Sequence, residues 1–206
     1  MARVPVRVYV VRGLRLETAN GGKRLLLAAM ERLSSACAHG VIAVSESLRR
    51  RCDELGLAPR SKLTVLWSGS SNGVDTARFM NRPAGENTAI RAHLQIPPAA
   101  PVIGFVGRFT RDKGIVELVE AFQKVRAGLP DARLLLVGDF EAVDPVPDAI
   151  PDRIRTDPAI VAAGFVADAA PYYGVMDVLA FPSYREGFPN VPIEAAGAGR
   201  PVGGFH

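Results

Sequence analysis

Short β-branched runs that alternate with amphipathic helical stretches constrain this chain more than any other feature. That rhythm is what parallel βαβ units require. Residues 4–11, 41–44 and 63–67 read as strands, and Leu26, Met30 and Leu33 fall at helical spacing within a helix over 23–38. Ser45, with Leu48 three residues on, reads as the N-cap of a helix that reaches about Leu55. A turn-forming run, Ser68-Gly69-Ser70-Ser71-Asn72-Gly73, interrupts the series, and polar, proline-containing sequence follows it. The alternation then resumes with strands over 102–106, 133–137, 160–163 and 178–181. Helices fit over 115–127, near 168–176 and around 191–198, and residues 139–158 read as a loop rich in Asp and Pro. The chain of 206 residues allows one large domain or two small ones. The expected fold class is α/β, with residues 1–67 as a partial N-terminal Rossmann-like domain, 68–101 as a linker region and 102–206 as a second Rossmann-like domain.

Composition excludes several classes. With 48% apolar and 22% charged residues the chain is neither disordered nor fibrous. The longest stretch without Asp, Glu, Lys or Arg, residues 92–107, is broken by Pro97, Pro98 and Pro101 and is too short to cross a bilayer. No signal-peptide pattern opens the sequence. Cys37 and Cys52, with no CxxC partner, read as reduced thiols of a cytoplasmic protein, not as a zinc site. Charge is uneven: residues 1–60 carry 11 Lys and Arg against 5 Asp and Glu, whereas the remainder is slightly acidic. That asymmetry favours an anionic partner, a membrane surface or a polyphosphate. Nucleic acid is not expected, because no aromatic ladder, finger or RNP pattern accompanies the basic residues. His39, His93 and His206 do not cluster and read as surface or capping residues.

Two constellations sit where an open α/β sheet binds ligands, beyond the carboxyl ends of its strands. In Gly107-Arg108-Phe109-Thr110-Arg111-Asp112-Lys113-Gly114, cations stand at the start of a helix, against the macrodipole. A bound diphosphate would reconcile them with that position; two solvated surface cations around a turn are the alternative. In the run from Arg185 to Glu194, Glu186 lies on the loop after a strand and Glu194 inside the next helix, with Pro192 in its opening turn. Such carboxylates can accept hydrogen bonds from sugar hydroxyls; a glycosidase pair and two plain surface charges are the alternatives. A third segment, Gly164-Phe165-Val166, ends a strand just before Asp168, an N-cap candidate. Backbone groups there could read a base edge, or the segment is only a strand–helix corner. The GxGxxG, Walker A, GxSxG and HExxH signatures are absent.

Taken in order, VIAVSESLRR (41–50), KLTVLWSGSSNGVDTARF (62–79), GRFTRDKG (107–114), GFV (164–166) and EGFPNVPIEAAGAGRPV (186–202) resemble the retaining family-4 glycosyltransferases, in particular the bacterial branch that builds capsular and lipid-linked polysaccharides. The resemblance implies the GT-B fold, two Rossmann-like domains facing across a cleft. It places Arg108 and Lys113 on the diphosphate of the donor in place of a metal ion, so no cofactor is expected beyond a UDP- or GDP-linked sugar as substrate. It places Glu186 on the donor sugar and Glu194 on the nucleotide ribose, the two ends of an E-x7-E motif. Gly187, Phe188, Pro189 and Asn190 would line sugar and phosphate, and Val166 would stand beside the base. Glu186, Arg108 and Lys113 are thus the expected catalytic residues, and no metal site is expected. The expected acceptor is lipid-linked or a saccharide, met at the inner face of the plasma membrane by peripheral contact with anionic lipid.

The beginning of the chain resembles the later half of the family's N-terminal domain, and its end stops a few residues after Pro201, so a fragment shortened at both ends is expected. A partial first domain would leave apolar surface on strand 4–11 and helix 23–38, and with it a tendency to self-associate, attach to membrane or dissolve poorly. Two other functions compete: a GT-B sugar-nucleotide epimerase of the hydrolysing kind, and an inactive nucleotide-sugar-binding remnant.

Overall fold

The computed structural model describes residues 4–70 and 72–204; Ser71, Phe205 and His206 of the sequence reading lie outside them. The chain divides into two compact units, Met1–Gly73 with Glu186–Pro189, and Val74–Arg185 with Asn190–His206.

The first unit holds a three-stranded parallel sheet, β1 (Val8–Val11), β2 (Gly40–Ala43) and β3 (Leu63–Val65), in that order. Helix α1 (Gly21–Cys37) connects β1 to β2, and α2 (Glu46–Glu54) connects β2 to β3. Ser45 caps α2 as expected: its hydroxyl accepts the Leu48 N–H at 3.2 Å. The core gathers Val11, Leu14, Val41, Ala43, Leu48, Cys52 and Leu63. Both cysteines are free thiols, and burial pushes that of Cys52 up to about 11.

The apolar surface expected on helix 23–38 is present: Leu26, Met30 and Leu33 are 56–65% exposed, whereas Ser35 is buried and Glu31 accepts a 2.6 Å bond from the Tyr9 hydroxyl. Val8 and Val10 on the opposite face of β1 are also exposed. Parallel strands are ordinarily covered on both faces, and among the described residues only the Tyr9–Val41–Leu63 face is.

The second unit is a five-stranded, wholly parallel sheet in the order β6-β5-β4-β7-β8, formed by β4 (Val102–Val106), β5 (Arg133–Val137), β6 (Ile160–Gly164), β7 (Val178–Phe181) and β8 (Val202–Gly204). Its two faces explain the near-continuous apolar runs. Leu134 and Leu136 point into a core with Phe105, Ile115, Val119 and Phe122, where α5 (Ile115–Gly128) and α6 (Ala149–Thr156) pack. Leu135 and Val137 point the other way, into a core with Phe79, Tyr173, Met176 and Ala195. That face is covered by α3 (Thr76–Met80), α4 (Glu86–His93), α7 (Ala170–Tyr173) and α8 (Asn190–Gly197). Helix α5 meets the sheet through Ile115, Leu118, Val119 and Phe122, the i, i+3, i+4, i+7 pattern of an amphipathic helix.

Two stretches differ from the sequence reading. Residues 74–101 of the expected linker carry α3 and α4, and Phe79, Ile96 and Ala100 are buried in the second core. Arg91 ties the end of α4 down by bonds to the carbonyls of Ala100 and Val175 at 2.9 and 3.0 Å. The expected loop 139–158 contains α6, whose Pro151 hid it; in the first turn of a helix proline removes an N–H that has no intrahelical partner anyway.

Asp157 closes α6 and anchors it to α5. It accepts from Gln123 Nε2 at 2.9 Å, from Arg126 Nη1 at 2.9 and 3.0 Å, and from the Ala159 N–H at 3.0 Å. Burial alone would raise its carboxyl; those donors outweigh burial and hold it below the usual carboxylate range. A depressed native pKa stabilises the fold above the unfolded value near 4, and the contribution is lost as pH falls through the native value. Asp157→Asn should therefore cost about 1–3 kcal/mol at pH 7. In urea titrations its deficit against the parent protein should shrink between pH 5 and pH 3; a deficit independent of pH would refute the charge argument.

Candidate functional site

The strand order places the two sequence constellations side by side. From β4 the chain winds outward through β5 and β6, then returns to the other side of β4 with β7 and β8, so the order reverses between β4 and β7. At such a switch point the loops leaving the two strands diverge to opposite faces and open a crevice, where ligands of open α/β sheets bind. The 107–114 loop leaves β4, and the loop that begins at Pro182 leaves β7.

Backbone contact joins these loops. The Tyr184 N–H donates to the Asp112 carbonyl at 3.0 Å, and the Ser183 hydroxyl to the same oxygen at 3.4 Å. Gly114 has φ +69°, and any Cβ there would overlap the Pro182 carbonyl oxygen. Gly138, beyond β5, closes on the Gly107 carbonyl in the same way. Gly114 and Gly138 are thus demanded by close approach as well as by positive φ.

Within this frame Arg108 follows β4 directly, and Lys113 ends the 3-10 turn Arg111–Lys113 ahead of α5. Arg108 is half-exposed, with Nη1 2.9 Å from Glu141 and Nη2 3.8 Å from Asp112 Oδ2. Sequence reasoning missed Asp112 as the organiser of the site. Its side chain is only 14% exposed, accepts the hydroxyl of fully buried Thr110 at 2.6 Å, and lies 3.8 Å from both Arg108 and Arg185. Its own N–H donates to Asp144 at 2.7 Å. A carboxylate between two arginines, one from each loop, keeps both cations near the switch point at little cost in mutual repulsion. An Asp flanked by Arg and Lys in an eight-residue loop was the available signal.

Glu194 lies in the second turn of α8, and its Oε2 accepts a 2.6 Å bond from the hydroxyl of Tyr173, which is completely buried. Asn190 opens α8, and its side-chain oxygen is buried with no partner among the described residues. Val166 stands in the loop after β6, half-buried against the second core. Asp168, expected as the N-cap, stands one residue before it: Ala169 is the N-cap of α7, and the Asp168 carboxylate accepts the Ala170 N–H at 2.9 Å. The second unit thus carries Arg108, Lys113, Val166, Asn190 and Glu194 on the elements that follow β4, β6 and β7. Glu186, Gly187, Phe188 and Pro189 group with the first unit, where Phe188 packs on its core and a Cβ on Gly187 would overlap the Arg12 carbonyl. Among the described residues no three His, Cys, Asp or Glu side chains come together as a metal-binding group.

A parallel sheet wound as a Rossmann half, with a cationic loop at its switch point, defines the Rossmann-like class of α/β protein. Comparison with known proteins narrows it. The family described as glycosyl transferases group 1 matches residues 100–202, and this chain belongs to it. The capsular polysaccharide biosynthesis glycosyltransferase CapM of Staphylococcus aureus is 37% identical over 198 residues, which is 96% of this chain and 51% of that protein. The crystal structure of Anabaena Alr3699/HepE in complex with UDP and glucose superposes with TM-score 0.79 at 22% identity, over 96% of this chain and 52% of that one. WaaG, a glycosyltransferase involved in lipopolysaccharide biosynthesis, gives TM-score 0.78 at 17% identity, over 96% and 56%. The two superpositions show the fold, which is of the GT-B type with Rossmann-like parallel sheets. The chain spans about half the length of these relatives.

Proposed function

We propose that this chain carries the donor-nucleotide site of a glycosyltransferase that moves a sugar from a UDP- or GDP-sugar to a lipid-linked or saccharide acceptor, with retention of configuration and without a metal ion. The observation that carries the proposal is the pairing of the 107–114 loop with the loop after β7 at the switch point, pinned where Gly114 meets Pro182. The same loops hold the cations and the following helix holds Glu194. Membership of the group 1 family and the UDP named with the HepE structure support this choice of ligand.

In this reading Arg108 and Lys113 neutralise the donor diphosphate and stabilise it as the leaving group, the task a divalent cation performs elsewhere. Glu194 accepts from the ribose hydroxyls, and Val166 borders the base. Glu186 binds the donor sugar, with Gly187, Phe188, Pro189 and Asn190 lining sugar and phosphate. The acceptor oxygen bonds to the anomeric carbon on the face from which the diphosphate oxygen departs, and that departing oxygen takes the acceptor's proton, so the configuration is retained. Residues 1–67 would serve the acceptor side and 102–206 the donor side. The cationic balance of residues 1–60 and the exposed Leu26, Met30 and Leu33 support peripheral contact with an anionic membrane at the cytoplasmic face.

Titration calorimetry with UDP and with GDP, in buffer containing EDTA and again with Mg²⁺ or Mn²⁺, tests the core of this reading. Binding of at least one nucleotide in EDTA is expected, and strict dependence on the divalent ion would overturn it. Product analysis with the corresponding sugar nucleotide separates transfer from epimerisation and from binding alone.

A further inference from the structure

We propose that Tyr173 is a positioning residue for Glu194, fixing one carboxylate oxygen so that the other is held ready for the ribose diol of the nucleotide. The proposal rests on the reading of Glu194 as the ribose-binding group.

Tyr173 closes α7 and is completely buried in the second core, with Phe79 edge-on to its ring at a centroid distance of 5.6 Å. Packing of that kind fixes the ring, so its hydroxyl is a stationary donor. That hydroxyl points to Glu194 Oε2 at 2.6 Å, the length of a charge-assisted O–H···O bond. Burial, and then the bond to Glu194, push the phenol far above its ordinary range, so it remains the donor and the carboxylate the acceptor. Glu194 Oε1 has no protein partner among the described residues. A free glutamate side chain samples many rotamers and loses entropy when fixed. Here that loss is incurred on folding, before any ligand arrives, and this is the benefit of preorganisation.

The test is calorimetry on the full chain with two probes, UDP and 2′,3′-dideoxyuridine diphosphate, which lacks both ribose hydroxyls. It compares the parent protein with Tyr173→Phe, Glu194→Gln and the double variant. Tyr173→Phe should raise the Kd for UDP by about tenfold and leave the Kd for the dideoxy probe within about twofold. In the Glu194→Gln background the same change should add little, because the two residues act as one unit. Equal weakening toward both probes, or full additivity in the double variant, would show that Tyr173 is only structural and overturn the proposal. If Glu194→Gln itself weakens both probes alike, the ribose reading of Glu194 fails and the proposal falls with it, a result distinct from failure of Tyr173→Phe alone. Should Tyr173→Phe not fold, Tyr173→Met, which also fills the core without a hydroxyl, takes its place with the same expectations.

Discussion

Gly114→Ala is expected to destabilise the second unit by about 2–5 kcal/mol. Two costs combine. The residue sits at φ +69°, a conformation that costs a side-chain-bearing residue roughly 1–2 kcal/mol. The new Cβ would also overlap the Pro182 carbonyl oxygen, which is backbone and cannot rotate away. Relief requires the loops after β4 and β7 to part, breaking the bonds from Tyr184 and Ser183 to the Asp112 carbonyl. A fall in melting temperature on the order of 10 °C should accompany weakened nucleotide binding. Gly128→Ala makes the control: it lies at the end of α5, meets nothing within 4 Å and has no unusual φ. There the methyl group should be neutral or stabilise by about 0.4–1 kcal/mol. Equal melting temperatures for the two variants would refute the close-approach argument.

The second large effect is expected on binding. Lys113→Ala should weaken UDP by about 1–3 kcal/mol, the cost of losing one hydrogen bond to a charged group. Uridine, which has no diphosphate, should bind the variant as it binds the parent protein. Glu194→Gln should weaken both ligands, because both carry the ribose diol. Calorimetry on the two variants with the two ligands yields four Kd ratios and separates the diphosphate contact from the ribose contact. Parallel losses of UDP and uridine on Lys113→Ala would remove that lysine from the diphosphate.

Much of the second unit was legible because its strands are short, β-branched and bounded by turn residues; β4, β5 and β7 begin and end where the sequence places them. Ser45 was readable as a cap because a capping oxygen acts on an N–H two or three residues away, a relation that sequence spacing contains. Helix α6 was not readable, since proline in a first turn looks the same as proline in a loop. Helices α3 and α4 are short and polar on one side, and become helices against the core that Phe79 and Ile96 help to fill.

Periodicity located α1, and the apolar surface expected on it is exposed: Leu26, Met30 and Leu33 face outward while Glu31 bonds to Tyr9. Sequence alone therefore determined β1 to β7 and helices α1, α2, α5, α7 and α8, their parallel βαβ connection, the membership of Arg108 and Lys113 in a loop after one strand, and that of Glu194 in a helix after another. Only the tertiary structure decided that those two strands are neighbours at the point where the sheet reverses, that Asp112 stands between Arg108 and Arg185, and that Tyr173 holds Glu194. The reason is physical. Local propensity and capping act over a few residues, whereas strand order and the pairing of side chains 21 and more positions apart are set by how two cores close on opposite faces of one sheet.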